Sequence, residues 1–399
     1  MIDELRTPAG QAALARAADL AGTDPLRAAA VLRREGVEPA LAAAALTQAE
    51  LRARAVAKFG ADAERMFFTR AGLEQATRAP VAARRAARLA AAGVRAVADL
   101  GCGIGADTLA FARAGIRVVA VDSDASTAAA ASANAVALGL ASRIDVRCAD
   151  ARDVDLSTVD GVFCDPARRG ATGRVFDPGA YSPPWEFVAG LARRMPRTVL
   201  KLAPGIDHAL IPPGAEAEWV SVDGDVVEAT FWCGPLASVP RRATLLPSGV
   251  SLVGSGAARA PVGPVRRYLC EPDGAVVRAH VVAEFAAVVD GVLADADIAY
   301  VYADARTDTP FGRWYEVLDV LPFSVKRLRA ALRARGVGRL TVKKRGSAVD
   351  PDGLRRAMRL AGPAEATVVL TRIAGAPTAM LVRPGPAGQP EPPEACPAR

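Results

Sequence analysis

Apolar and polar positions follow two textures along the chain. Up to about Ala92, Ala, Leu and Arg recur at helical spacing, broken at Thr23-Asp24-Pro25, between Gly36 and Pro39, and near Gly60. This predicts a helical N-terminal region over residues 1–92. From Arg95 the pattern changes to short apolar runs. AVADLGCG (Ala96 to Gly103), RVVAVD (Arg117 to Asp122), IDVRCAD (Ile144 to Asp150), VDGVFCD (Val159 to Asp165) and TVLKLAP (Thr198 to Pro204) read as buried strands. Helical segments fall near Ala106 to Ala114, Ala125 to Leu138 and Trp185 to Arg194. Strands alternating with helices predict an α/β domain over 93–240, its parallel sheet covered on both faces. The run from Glu218 to Gly234 places two strands around the tight turn Asp223-Gly224-Asp225, a hairpin that closes the sheet with an antiparallel strand.

Residues 235 to 265 are rich in Pro, Gly, Ser and Ala, and 241–314 is expected to be a linker or subdomain. The segment from Glu271 to Gly291 reads as helical after the Asp273 turn. Beyond it the pattern is strand (WYEVLDVLPF), helix with Ser324 as N-cap, strand (GRLTVKKRG), helix (DPDGLRRAMRL) and two strands (ATVVLTRIAG, APTAMLVRP). That is a small α+β module over 315–385. Residues 386–399, PAGQPEPPEACPAR, are expected to be a disordered tail.

Charge and rare residues narrow the classes. The six cysteines, Cys102, Cys148, Cys164, Cys233, Cys270 and Cys396, form no C-x-x-C pair, and the two histidines are His208 and His280. Neither a disulfide framework nor a metal site is expected. The opening MIDEL is acidic, and no uncharged apolar stretch is long enough to cross a bilayer, so a cytoplasmic protein with no membrane partner is expected. The chain carries 50 Lys+Arg against 43 Asp+Glu, yet Tyr315 to Pro384 alone holds 14 basic residues and five acids. Lys326, Lys343 and Lys344 lie there, in a chain whose basic residues are otherwise nearly all arginine. Such a module points to a polyanionic partner.

The loop Asp99-Leu100-Gly101-Cys102-Gly103-Ile104-Gly105-Ala106-Asp107 sits where the first strand of the sheet gives way to a helix. Glycines there let the backbone turn sharply and approach a ligand closely at the carboxyl end of the strand. Asp122 ends the next strand, where a carboxylate can accept both hydroxyls of a ribose. A dinucleotide fold requires G-x-G-x-x-G and a phosphate on the helix N-terminus; here the spacing is G-x-G-x-G, and Asp107 opposes a phosphate. An acid there suits a cationic amino-acid end, and an NAD-dependent oxidoreductase ranks last among the readings.

With these residues the chain resembles the class I S-adenosylmethionine-dependent methyltransferases over about Arg95 to Gly234, and the resemblance implies a Rossmann-like sheet and S-adenosyl-L-methionine as cofactor. By that resemblance Asp99, Gly101, Gly103 and Gly105 line the methionine end, Asp122 takes the ribose, and Asp150 faces the adenine amino group. The segment from Phe67 to Pro80 looks like one that folds over the cofactor in related enzymes, with Gln75 and Thr77 as candidates. The module with the VKKRG turn resembles the THUMP-like domain attached to some bacterial methyltransferases, and Lys343, Lys344 and Arg345 are its candidate RNA contacts.

The fourth strand ends Asp165-Pro166-Ala167-Arg168-Arg169-Gly170. Methyltransferases acting on exocyclic amines carry [DNS]-P-P-[YFW] here, where an oxygen accepts the amino hydrogen and an aromatic ring stacks on a flipped base. This chain keeps Asp165 and Pro166, and the Arg168 and Arg169 guanidiniums could stack on a base or hold a phosphate. Enzymes methylating C5 of uracil have D-P-P-R-x-G and need a cysteine after the next strand. That position reads Lys201-Leu202-Ala203-Pro204-Gly205, so a nitrogen acceptor is expected, with Asp165 and Lys201 as catalytic candidates. The reading is thus a methyltransferase acting on a base of structured RNA, tRNA or rRNA. The alternatives are a small-molecule or protein methyltransferase and a non-catalytic RNA-binding protein retaining the cofactor pocket.

Overall fold

In the computed structural model, residues 2–168 and 181–385 are described. The chain divides into two compact units, Met1–Glu216 with Ala229–Ser238, and Ala217–Glu228 with Val239–Arg399. The tail expected over 386–399 lies outside the described residues, as does Arg169.

The first unit opens with α1 (Ile2–Arg6), α2 (Pro8–Asp19), α3 (Pro25–Arg34), α4 (Pro39–Phe59), α5 (Arg70–Gln75) and α6 (Ala79–Ala91). Proline opens α2, α3 and α4, where its missing N–H has no helical partner to lose, and the Thr7, Asp24 and Glu38 side chains each accept a first-turn N–H. Leu5, Leu14 and Leu32 bury the apolar stripe between these helices. Then β1 (Ala96–Leu100), α7 (Ala106–Arg113), β2 (Arg117–Asp122), α8 (Ala125–Ala137), β3 (Ile144–Cys148) and β4 (Gly161–Cys164) alternate. The two-residue strands β5 (Ala167–Arg168) and β6 (Tyr181–Ser182) pair with each other before α9 (Trp185–Arg194), β7 (Thr198–Leu202), β8 (Glu216–Val222) and β9 (Asp225–Trp232). In this unit the order is β9-β7-β4-β1-β2-β3, with β9 antiparallel to β7 and the other pairs parallel. All of β1 and β4 is buried, and Phe111 of α7 meets Phe163 of β4 edge-on at 5.4 Å. The third strand departs from the expected burial. It ends the order, and Asp145 and Arg147 pair with each other on an exposed face while Ile144 and Val146 pack inward.

In the second unit β8 runs parallel to β10 (Arg241–Leu246), which pairs antiparallel with β11 (Ser251–Gly254). Asp223 and Gly224 form the hairpin tip with φ of 53° and 90°, the left-handed pair that a two-residue turn of this kind requires. A second sheet joins β12 (Tyr268–Pro272), β13 (Val292–Leu293), β14 (Val301–Ala303), β15 (Gly312–Pro322), β16 (Val337–Lys344), β17 (Ala364–Ile373) and β18 (Ala376–Pro384) in the order β13-β14-β12-β15-β18-β17-β16. α10 (Gly274–Arg278) and α11 (Val282–Val288) follow β12; α12 (Val325–Ala334) and α13 (Pro351–Met358) pack Leu328, Leu332, Leu354 and Met358 against β16 and β17. Residues 241–314, expected as a linker or subdomain, therefore carry five strands and two helices. These strands are two to six residues long, too short for period-two alternation to announce them. No described helix is long and apolar enough to cross a membrane.

Candidate functional site

The site in the first unit is built on the ends of β1, β2, β3, β4 and β7. Gly101, Gly103 and Gly105 have φ of 86°, 57° and 91°, values that a side chain would strain. A Cβ on Gly101 would lie 2.7 Å from the Asp165 carbonyl oxygen, so glycine there lets the loop touch the end of β4. The loop is tied back by Gly101 and Cys102 N–H groups donating to the Val121 carbonyl at 2.9 and 3.0 Å. Asp122 completes it: its carboxylate accepts from Gly103 N–H at 3.0 Å and Asp124 N–H at 2.9 Å. The loop and Asp122 are thus one structure, although 19 residues separate Gly103 from Asp122.

Asp99 is fully buried at the end of β1; one carboxylate oxygen accepts from the Thr108 hydroxyl, and Oδ1 has no hydrogen-bond partner. Burial, reinforced by Asp107, pushes its carboxyl up to about 8. At the end of β4 Asp165 pairs with Lys201 of β7. Burial raises the Asp165 carboxyl, and the Lys201 ammonium opposes that rise. Asp150 lies at the end of β3, next to Asp122 through the Ala149 N–H to Asp122 carbonyl bond at 3.1 Å, and holds the Arg152 guanidinium at 2.7 Å. Cys102 lies in the loop and Cys164 at the end of β4, but burial pushes both thiols well above their ordinary range, which leaves them as small apolar groups.

Asp107 does not stand open at the helix start as the loop spacing suggested. Its carboxylate is taken by the buried Arg85 guanidinium and by the Thr77 hydroxyl at 2.6 Å. Thr77 is consequently anchored inward, whereas Gln75, at the end of α5, is exposed. Lys58 of α4 fastens the same segment by donating to the carbonyls of Leu73, Glu74 and Ala76 at 2.7–2.9 Å. Burial lowers its pKa first, and repulsion from Lys201 and Arg78 lowers it further. Arg85 and Lys58 escaped the sequence reading. The signal for Arg85 was its place on the stripe Val81, Ala82, Ala86 and Leu89, all buried: an arginine on an apolar face needs a buried partner.

The second unit treats its charges differently. Lys343 pairs with Glu271 at 2.5 Å and lies over the Tyr315 ring, while Arg345 donates to the Ala299 carbonyl at 2.5 Å and lies over Tyr300. Both line a cleft of about 750 Å³ together with Arg313, Glu271 and Asp273. Lys344 points from the strand to the Val349 carbonyl at 3.0 Å. Of the three residues expected to contact RNA phosphates, Lys343 and Arg345 thus lie on one side and Lys344 on the other, as successive residues of a strand do, and each has a partner within the chain. Of Arg168 only the backbone, in β5, is described.

Three family models match: a methyltransferase domain over residues 97–168, a THUMP domain-like model over 312–384 and a domain of unknown function over 1–55. Among curated proteins, an uncharacterized S-adenosylmethionine-dependent methyltransferase of Mycobacterium tuberculosis, present in two strains, is 37% identical over 341 residues, 81% of this chain and 90% of that protein. Among solved structures, a protein of Porphyromonas gingivalis assigned as a methyltransferase superposes with a TM-score of 0.74 at 21% identity, covering 94% of this chain and 98% of the other. That last likeness speaks to the fold.

Proposed function

Because this chain belongs to the S-adenosylmethionine-dependent methyltransferases, we propose that it methylates a ring or exocyclic nitrogen of a base in structured RNA, tRNA or rRNA. The observation that carries the reading is the Asp165–Lys201 pair at the end of β4, directly against Gly101, with only non-nucleophilic thiols nearby. A carboxylate and an ammonium suit an amine acceptor; carbon methylation at C5 would need a thiolate.

The residues fit the cofactor. The unpartnered Asp99 Oδ1 is an acceptor waiting for a donor, and in our reading it takes the ammonium of the methionine end. Asp122 keeps lone pairs beyond the two N–H bonds it already accepts, and these take the ribose hydroxyls. Asp150 faces the adenine amino group, while Gln75 and Thr77 stand on the covering segment. Asp107 acts through Thr77 and Arg85, holding that segment in place. S-adenosyl-L-methionine, when bound, supplies a methyl group already activated on a sulfonium. The protein then has to align the acceptor and keep its lone pair available. Asp165 accepts a hydrogen of the amine, orienting its lone pair, and Lys201 holds Asp165 in place. The basic composition of 315–385 and the THUMP domain-like match support an RNA acceptor.

The test is transfer of labelled methyl from S-adenosyl-L-methionine to total RNA, protein and metabolite fractions, followed by mass mapping of nucleosides. Label in a nitrogen-methylated nucleoside is expected. Label confined to protein or metabolites would move the acceptor to the competing readings.

A further inference from the structure

We propose that the outer face of α12 and α13 is a docking surface for the phosphate backbone of RNA; the choice of RNA rests on the acceptor reading above. The two helices lie side by side, with the Arg329 guanidinium donating to the Ala357 carbonyl at 2.7 Å and Arg333 donating to the Arg359 carbonyl at 3.1 Å. Their buried stripes are Leu328 and Leu332 on one, Leu354 and Met358 on the other. The stripes turn Lys326, Arg327, Arg356 and Arg359 to solvent.

Arginine is abundant throughout this chain, so abundance does not select a surface. Pairing does. Elsewhere in residues 315–385, the exposed arginines are matched to acids: Arg335 to Asp319, Arg339 to Glu365 and Arg383 to Glu316. Lys326, Arg327, Arg356 and Arg359 have no ion pair among the described residues, and the acid of this face, Asp352, is taken by Arg355. The surplus positive charge of the module is therefore concentrated here. The ten residues of α12 extend about 15 Å at 1.5 Å per residue, a length over which a nucleic-acid strand presents about four phosphates. The outer face carries no aromatic residue, which argues for phosphate contact over base stacking and against an interfacial anchor in a bilayer.

The experiment uses the full chain and labelled bulk tRNA, with binding followed by anisotropy between 50 and 300 mM salt. The variant is Lys326→Gln/Arg327→Gln/Arg356→Gln/Arg359→Gln, whose exposed positions spare the core; the control is Arg339→Gln/Arg383→Gln. The four-site variant is expected to lose about tenfold or more in affinity near 150 mM salt, with the slope against log salt shallower by about three units, while the control stays within about threefold. In methyl transfer to the same tRNA its KM should rise with kcat unchanged. Unchanged binding and slope, or equal loss in the control, overturns the surface. Preference of the wild type for vesicles containing 30% phosphatidylserine, lost in the variant, overturns RNA as its occupant. The acceptor reading fails separately: if the wild type labels only protein or metabolites, the binding arm alone still decides the surface.

Discussion

Asp99 and Asp122 in the first unit, and Lys343, Lys344 and Arg345 in the second, are both sets of charges clustered at strand ends, and both stand out in the sequence. Their surroundings differ. The carboxylates keep unused capacity: Asp99 Oδ1 is without a donor, and Asp122 is engaged by backbone N–H groups that leave lone pairs open. The cations are answered by Glu271, the Val349 carbonyl and the Ala299 carbonyl. A charge cluster becomes a candidate site when the fold leaves its valence open, and becomes scaffold when the fold fills it.

The largest effect is expected for Asp165→Ala, whose carboxylate is paired with Lys201 and yet is read as acting on the acceptor. It should lower methyl transfer at saturating cofactor by about 10² or more, the range for loss of a group that acts on the acceptor proton. Its dissociation constant for S-adenosyl-L-methionine, measured by calorimetry, should stay within a few-fold. If affinity collapses and turnover of bound cofactor survives, Asp165 belongs to the cofactor.

Arg85→Met tests a filled valence in the first unit. Leaving Asp107 buried without its guanidinium should cost about 3–5 kcal/mol in urea unfolding. Lys343→Met, at a partly exposed pair, should cost about 1 kcal/mol or less. Equal costs would erase the distinction between the buried and the partly exposed pair.

Asp122→Ala should weaken cofactor binding by about 1.5–3 kcal/mol per lost charge-assisted bond. An unchanged dissociation constant in calorimetry rejects the ribose assignment.

Asp99 provides a pH signature. With its carboxyl pushed up to about 8 in the folded chain and ionising near about 4 when unfolded, the folded state holds a proton that the unfolded state has released. Stability from this group therefore falls as pH rises from 4 to 8. Asp99→Asn cannot ionise, so its stability relative to the wild type should grow between pH 5 and pH 8 in urea titrations. A constant difference would show that Asp99 is ionised in the folded protein.

The smallest effect is expected for Lys343→Gln/Lys344→Gln/Arg345→Gln. With each of these cations already bonded within the chain, affinity for bulk tRNA should stay within about threefold and the salt slope within about one unit. A loss as large as that of the four-site variant on α12 and α13 would return RNA contact to the end of β16.

Local pattern and long-range partnering account for what could be read from the chain. The βα alternation, the Asp223-Gly224 turn and the glycine loop were legible because each is written in adjacent residues: apolar period, positive-φ glycine, a carboxylate at a strand end. β12, β13 and β14 were not, since strands of two to five residues carry too few positions to show a period, and they are held by pairing with one another and, through β12, with distant β15. The burial of β3 was misread because apolar content does not say which strand lies at an edge.

The sequence by itself determined the fold class, the cofactor and the strand-end carboxylates, because the backbone demands of the loop restrict which residues can occupy it. Only the tertiary structure decided which charges remained available. Arg85 reaches Asp107 across 22 residues and Lys343 reaches Glu271 across 72. A charge's partner is set by distance in space, over which the Coulomb energy and the cost of burial are counted.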